Sequence, residues 1–376
     1  MTARKCLKGK VATGLVDKGR GEQLDEMLQA LEADHQARLG PEAAARQAAL
    51  DAAAAAKAAA ARKRRLTHLT VIAQDRITRQ LATHPKCPAV AAKSMLHRDL
   101  TQLAPWHNVE GLKEVIRGEA HRRLSGLLAR LRPGLAGLSR DLASAEDLVR
   151  ALFGEPAGDD ATELASAWSG TAEWLRTRFN RAGGAIPALG SWRLPQSHSP
   201  TRIADAGYAG WADFVRPRLD RAAMLDHTTG LPLSDARLEF VLQDVYRTLA
   251  SEGLNKLKPG ASYGGAGRGK MLAMRRQDGR VLHFKDADGW LSYNQRFGGT
   301  DIASALFGEI DRMASEIALL EIWGPNPDRG VELAKDLILK AVAETDATAR
   351  SVAAHEAQFF QDMYDDVAGK TAVPVN

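Results

Sequence analysis

The sequence has very little cysteine, with only Cys6 and Cys87 among its 376 residues. Two cysteines cannot provide the disulfide framework that stabilises small secreted domains, so the composition indicates assembly in a reducing cytoplasm. No stretch reaches the roughly eighteen consecutive apolar residues that a transmembrane helix requires. The basic N-terminus also lacks the apolar segment of a secretory signal. We therefore expect neither a disulfide scaffold, nor a membrane span, nor a secretory signal.

The spacings that identify metal and catalytic sites are also missing. There is no C-x-x-C or H-E-x-x-H pattern, and the segment 355–359 lacks the second histidine of a zinc motif. No G-x-S-x-G turn is present either. The sequence thus predicts no metal ligand, no cofactor and no catalytic residue, although a triad built from distant positions stays open.

The positive charge is concentrated near the N-terminus. Residues 1–66 hold 13 Lys and Arg against 8 Asp and Glu, whereas residues 67–376 hold 38 of each, so the first region carries the whole net charge of +5. A basic arm on a neutral body predicts an anionic partner, either nucleic acid or an acidic protein surface. A solvated tail that only aids solubility is the alternative. The candidate nucleic-acid-binding residues are Lys8, Lys10, Arg62, Lys63, Arg64 and Arg65.

Hydrophobic periodicity predicts a mainly α, multi-helical fold. Residues 1–20 are basic and show no periodicity, so we expect a mobile arm there. Gly40-Pro41 separates a helix that begins near Glu22 from an alanine-rich helix that ends near Arg65. Arg62 to Arg65 would then lie at the C-terminus of this helix, where positive charges interact favourably with the helix dipole. That role is the alternative to phosphate binding. Bare alanine buries little area, so this helix is expected to project or to pack closely on a neighbouring helix.

One β-element is predicted. Residues 280–285 are the best strand candidate in the chain, and residues 273–277 are its expected partner. The sequence therefore predicts a small β-hairpin near 273–285 within the helical fold.

Composition divides the chain into four regions. They are a basic N-terminal arm with the alanine-rich helix (1–66), a helical region (67–190), a core domain of short elements with a glycine-rich loop (191–327) and a C-terminal helical segment (328–376). The chain stops at Asn376 without a terminal signature, which is compatible with its being part of a longer polypeptide.

The glycine-rich loop has the spacing G-x-x-x-x-G-K of a phosphate-binding loop. Met271 replaces the hydroxyl residue that would bind magnesium, and the preceding residues 258–262 are not an apolar strand. A flexible loop is therefore the favoured interpretation and a nucleotide site the alternative. The candidate residues of the loop are Gly264, Gly267, Gly269 and Lys270.

Several aromatic and polar residues allow two interpretations each. Trp290, Tyr293 and Phe297 could form a stacking platform for bases or sugars, but their helical spacing favours a core stripe. His283 and His198 lie among apolar residues, and a hydrogen-bonded structural role is favoured for both over a functional one.

A series of turn and aromatic positions runs through the second half of the chain. In order, the series is Leu194-Pro195-Gln196-Ser197-His198, Ala206-Gly207, Trp211, Gly230-Leu231-Pro232, Val245-Tyr246-Arg247-Thr248, Arg280-Val281-Leu282-His283-Phe284-Lys285, Trp290, Tyr293-Asn294, Phe297-Gly298 and Gly324-Pro325-Asn326-Pro327. Over about residues 192–376, it resembles the internal virion, or ejection (pilot), proteins of tailed bacteriophages. The pattern is not a catalytic signature, so it implies no catalytic residue.

The resemblance implies a virion structural protein that associates with the portal–tail axis and takes part in delivering the genome into the host. It also implies a location in the virion after assembly in the bacterial cytoplasm. The implied partners are other portal or tail proteins, further copies of the chain in a homo-oligomer, packaged DNA, and the host envelope during ejection. A helical chain without a disulfide framework suits passage through a narrow tail in locally folding segments.

Two other classes of function stay open. The glycine-rich loop and the polar residues around His283 favour a virion-associated enzyme, either peptidoglycan-degrading or nucleotide-binding. The cluster from Arg62 to Arg65 favours a DNA-binding packaging accessory. We rank the structural role first and the enzyme second, so that a non-enzymatic function is favoured.

Overall fold

A computed structural model of the protein describes residues 3–85, 87–97, 107–138, 142–188, 194–225, 232–252, 271–274, 282–341 and 347–370. Over these residues the protein is mainly helical, as predicted. Its α-helices are α1 (Ala3–Ala12), α2 (Lys18–Leu39), α3 (Pro41–Ala82), α4 (Pro88–Ser94), α5 (Val109–Leu138), α6 (Leu142–Phe153), α7 (Asp159–Arg181), α8 (Pro200–Val215), α9 (Asp235–Ala250), α10 (Ala287–Phe297), α11 (Ile302–Trp323), α12 (Pro327–Lys340) and α13 (Ala347–Val367).

The chain forms two compact units. The smaller unit consists of Met1–Thr67, Asp220–Phe240 and Val281–His283. The larger unit consists of His68–Leu219, Val241–Arg280 and Phe284–Asn376.

In the smaller unit, α1 packs along α2. Arg4 donates hydrogen bonds from Nε and Nη2 to the two carboxylate oxygens of Asp25, at 2.8 and 3.0 Å. A Cβ atom on Gly21 would lie 2.3 Å from Val11 Cγ2, so glycine allows the two helices to approach closely. Ala3–Ala12 thus form a helix that the sequence pattern does not mark, and contacts with α2 stabilise it.

The break between α2 and α3 is where the sequence predicts it. Gly40 follows α2 with a φ of 76°, and Pro41 is the first residue of α3. His35 Nε2 lies 2.7 Å from one oxygen of Asp51, and Gln47 Nε2 donates to the other at 2.8 Å. The hydrogen bond with His35, followed by that with Gln47, lowers the pKa of Asp51. These contacts join α2 to the first third of α3.

The central helix of the larger unit is α11, which contacts α5, α7 and α12. Over its last two turns, apolar residues on most sides of the helix are buried, and the half-buried Glu321 occupies the remaining side. The buried residues of these turns are Ile317, Ala318, Leu319, Leu320, Ile322 and Trp323.

Aromatic side chains from α8, α9 and α10 build a second part of the core of the larger unit. The ring centroids of Trp211 and Tyr246 are 5.9 Å apart, and those of Phe214 and Phe297 are 5.5 Å apart. These tilted and edge-to-face arrangements are the ones that aromatic quadrupoles favour.

The predicted β-hairpin near 273–285 is not found. Leu272–Met274 form a 3-10 helix, and residues 275–281 lie outside the described residues. Phe284 instead makes a single antiparallel bridge with Leu219, which follows α8. This extended segment pairs with a distant part of the chain, and the pairing stops after one residue pair. The described residues therefore contain no strand that extends beyond such a bridge.

Gly324 ends α11, and we expect Gly324→Ala to lower the free energy of unfolding of the larger unit by about 2 kcal/mol or more. Its φ is 89°, and an added Cβ would lie 2.6 Å from Cβ of Ala73. The matched control is Gly170→Ala in α7, where no atom lies within 4 Å of an added Cβ. That variant should gain up to about 1 kcal/mol, because alanine is the better helix former. Urea unfolding followed by tryptophan fluorescence measures both, and equal effects would contradict the prediction.

Candidate nucleic-acid interface

The candidate residues from Arg62 to Arg65 lie inside α3 and not at its end. The helix continues without a break to Ala82 and has 42 residues, so its length is about 63 Å at a rise of about 1.5 Å per residue. The helix dipole acts on charges in the first and last turns only. The interpretation of these cations as residues at a helix C-terminus is therefore wrong, and phosphate binding stays as the alternative.

We call residues 57–65 the basic segment of α3. The segment contains Lys57, Arg62, Lys63, Arg64 and Arg65, and no Asp or Glu occurs anywhere from residue 52 to residue 74. Arg62 is half-buried, and the other four cations are exposed. Because consecutive residues of a helix are rotated by about 100°, the exposed Lys63, Arg64 and Arg65 point to three different sides of the helix.

The alanine-rich part of α3 is exposed on every side. Each residue from 53 to 61 is exposed to solvent, so the prediction that this helix projects is confirmed for the described residues. Its short side chains keep the helix thinner than the about 10–12 Å of an ordinary one. The major groove of DNA is about 12 Å wide and has phosphates on both sides. A thin helix with exposed cations on several sides suits that environment.

The two other candidates, Lys8 and Lys10, are exposed on α1. The pKa of the nearby Asp25 is lowered mainly by its hydrogen bond with Arg4 and, to a smaller extent, by the charges of Arg4 and Lys8. Acidic residues of α2 thus partly neutralise α1. The basic segment of α3 is the stronger candidate.

The aromatic set on α10 belongs to the core. Trp290, Tyr293 and Phe297 are only 3%, 2% and 1% exposed, so their faces are not accessible to a base or a sugar. The Tyr293 hydroxyl lies 2.8 Å from Nδ1 of His198, and the two rings meet edge to face. The interpretation of these aromatics as a core stripe, and of His198 as a structural residue, is confirmed.

Burial also changes the chemistry of Tyr293. Loss of hydration raises the pKa of its phenol to about 12. The nearby Trp211 indole opposes this shift, although Nε1 of Trp211 has no hydrogen-bond partner of normal geometry. The phenol therefore stays neutral throughout the physiological range.

His283 is buried, and its backbone carbonyl accepts a hydrogen bond from the Asp220 amide at 2.7 Å. The loop candidates Gly264, Gly267, Gly269 and Lys270 lie outside the described residues.

Among the residues that are described, no group of three or more His, Cys, Asp or Glu could hold a metal ion. Within the same residues, no helix is long and apolar enough to cross a membrane.

The larger unit contains a cleft of about 590 Å³ that the sequence did not indicate. We call it the arginine cleft, because Arg76, Arg178 and Arg181 lie at its polar side together with His107. Its apolar walls include Leu69, Ile72, Met95, Leu112, Leu320 and Ile322.

Two of the arginines are positioned by the end of α11. Arg178 donates from Nε and Nη2 to the two carboxylate oxygens of Glu321, at 2.8 and 2.9 Å. Arg76 donates to the backbone carbonyls of Glu321 and Ile322, which the last turn of a helix leaves without intrahelical partners. The arginines come from α3 and α7, so only the tertiary structure brings them to one place.

Comparison of the chain with protein-family models, with curated proteins and with solved structures gave no match.

We expect Tyr293→Phe to lower the free energy of unfolding by about 1 kcal/mol at neutral pH, because it removes the hydrogen bond with His198 and keeps the ring. In the wild type, the pKa of Tyr293 is raised from 10.0 to about 12. The folded state therefore holds this proton more tightly than the unfolded state. The stability is complete below pH 10 and falls by up to about 3 kcal/mol as the pH rises to about 12.

Denaturant unfolding at a series of alkaline pH values measures this loss. Tyr293→Phe should show a smaller loss between pH 10 and pH 12, whereas the half-buried Tyr208→Phe control should follow the wild type. An identical alkaline profile for wild type and Tyr293→Phe would contradict the assignment.

We expect the variant Lys57→Ala/Lys63→Ala/Arg64→Ala to bind duplex DNA more weakly and with less dependence on salt. Each cation that neutralises a phosphate contributes about 0.9 to the slope of log K against log salt, so the slope should fall by about 2 to 3. Fluorescence anisotropy of a labelled duplex at several salt concentrations measures the slope.

The matched control removes three exposed arginines elsewhere, as Arg79→Ala/Arg122→Ala/Arg312→Ala. Their side chains are 79%, 70% and 61% exposed, and the change in net charge is the same. If the control lost as much affinity as the test variant, binding would reflect net charge and not the basic segment.

Proposed function

We propose that this chain is a structural protein of a tailed-phage virion, of the internal or ejection type. It associates with the portal–tail axis and takes part in delivering the genome into the host. The observation that carries the proposal is the resemblance of residues 192–376 to internal virion proteins of tailed phages. Its location would be the virion, after assembly in the host cytoplasm.

Residues that carry the resemblance also constrain the fold. Gly207 has a φ of 64° and produces a kink inside α8, and Gly324 has a φ of 89° and ends α11. Trp211, Tyr293 and Phe297 are at most 2% exposed. At these five positions the backbone or the core restricts the residue type, and this supports a resemblance that rests on fold.

The basic segment of α3 supports contact with packaged DNA. Four of its five cations are exposed, and no Asp or Glu occurs from residue 52 to residue 74. The other proposed partners are portal or tail proteins, further copies of the chain and, during ejection, the host envelope. These partners follow from the resemblance alone.

A DNA-binding packaging accessory is the second candidate, because the basic segment would serve that function equally well. The two functions differ in the fate of the protein. An accessory acts before the particle is complete, whereas an internal virion protein is enclosed and then leaves with the genome. No feature of the described residues specifically favours the enzymatic alternative.

Mass spectrometry of purified particles of the encoding phage tests the proposal. We expect the chain in full particles, in a fixed ratio to the portal protein, and depleted in particles that have been triggered to release their genome. The portal and major head proteins, which stay in the emptied particle, are the internal control. Absence from full particles would favour the packaging accessory, and equal amounts before and after release would contradict an ejected protein.

A further inference from the structure

The arginine cleft has the composition of a binding site for a group that is both apolar and anionic. Its volume of about 590 Å³ lies within the range of about 300–1,000 Å³ that is usual for binding pockets. Three arginines against the single carboxylate of Glu321 leave the lining with a formal charge of +2, with His107 neutral. Arg178 already engages both oxygens of Glu321, so this acid offers little to a further cation.

The walls of the cleft leave apolar surface in contact with solvent. Ile72 is 41% exposed, although it lies on the side of α3 that faces the cleft. Leu112 and Leu320 form walls that are themselves almost completely buried, at 4% and 2%. An apolar side chain that enters the cleft would therefore gain contacts with fixed walls and cover Ile72.

The outer face of α13 carries the complementary groups. Successive spacings of 3, 4, 3 and 4 place five residues on one side of this helix. We call this set the outer face of α13, and it consists of Val352, His355, Phe359, Asp362 and Asp366.

Large apolar groups on this face are open to solvent. Val352 is 58% exposed and Phe359 is 50% exposed, even though Lys93 Nζ lies 4.6 Å from the centre of the Phe359 ring. Asp362 and Asp366 follow on the same side and are also exposed. Together they give the face an apolar part and an adjoining acidic part with a formal charge of −2.

The opposite side of α13 fixes the helix in the larger unit. Ala353, Ala357, Phe360 and Tyr364 are buried there, and the Tyr364 hydroxyl donates to Asp328 of α12 at 2.6 Å. The outer face is thus presented by a helix that is already packed. It need not rearrange to bind.

We infer that the outer face of α13 in one copy of the chain docks into the arginine cleft of a second copy. Phe359 supplies the apolar group, and Asp362 and Asp366 supply the carboxylates that the cleft arginines bind. The charges match, +2 against −2, and both surfaces belong to the larger unit. The inference is independent of the proposed DNA contact, because α3 contributes only residues 69–80 to the cleft.

The face and the cleft are different surfaces, so two copies can dock in two ways. Reciprocal docking, in which each copy inserts its face into the cleft of the other, closes a two-fold dimer. If only one face docks, the pair still offers one free face and one free cleft, and association continues until a ring closes or a filament forms. The inference therefore predicts self-association through this pair of surfaces, as a closed dimer or as a larger assembly.

Sedimentation velocity of the full chain over a series of concentrations tests the inference. We expect the wild type to self-associate as its concentration rises, into a dimer or a larger assembly. A cleft variant, Ile72→Ser/Arg181→Glu, and a face variant, Phe359→Ser/Asp362→Asn, should each weaken association by about tenfold or more. The matched control Val71→Ser/Arg122→Glu changes an exposed apolar residue and an exposed arginine outside both surfaces, and it should associate like the wild type.

Mixing the two variants gives the decisive measurement. The cleft variant keeps an intact outer face, and the face variant keeps an intact cleft, so an equimolar mixture should form a one-to-one dimer that cannot grow. Circular dichroism of each variant alone shows that the helices are retained, and formation of the mixed dimer shows that both surfaces are folded.

Three results would overturn the inference. They are a wild type that stays monomeric over the whole concentration series, variants that assemble as the wild type does, and a mixture of variants that yields no dimer.

Discussion

Apolar side chains cover most sides of the last two turns of α11, and a helix of this kind has to be packed against neighbours in several directions. Burying Leu320, Ile322 and Trp323 requires neighbours in several directions, and α5, α7 and α12 supply them. Enclosure creates a second requirement, because the last carbonyls of a buried helix also need hydrogen-bond donors. Arg76 meets that requirement, and Gly324 lets the chain turn away at once.

The middle of α3, in contrast, is helical without being buried. Between residues 53 and 61 almost nothing is buried, so alanine's high helix propensity and the length of the helix must maintain the helical state. A segment of this kind contributes little to a core. What it offers instead is a thin, rigid support that holds a high density of positive charge in water.

The sequence predicted those elements whose signal is local. The Gly40-Pro41 break, the core stripe on α10 and the exposed alanine helix all depend on spacing or composition within a few turns, and the structure agrees with each. Helix α1 was missed because its stability comes from Asp25 and from the close approach at Gly21, neither of which is visible in the pattern of residues 3–12. The hairpin was wrong because Phe284 pairs with Leu219, 65 positions earlier in the chain.

The candidate sites show the same limit. The basic segment could be found from sequence, since its residues are consecutive, but its position inside a continuous helix could not. The arginine cleft could not be found at all, because Arg76 and Glu321 are 245 residues apart and meet only through packing.

The division of the chain has a consequence for spectroscopy. All seven tryptophans fall within the sequence ranges of the larger unit, and Trp168, Trp211, Trp290 and Trp323 are buried there. The smaller unit contains none. Intrinsic tryptophan emission is therefore a selective reporter of the larger unit, whereas far-ultraviolet circular dichroism records the helices of both. Loss of helix signal without a change in emission would identify melting of α1, α2 and the alanine-rich part of α3.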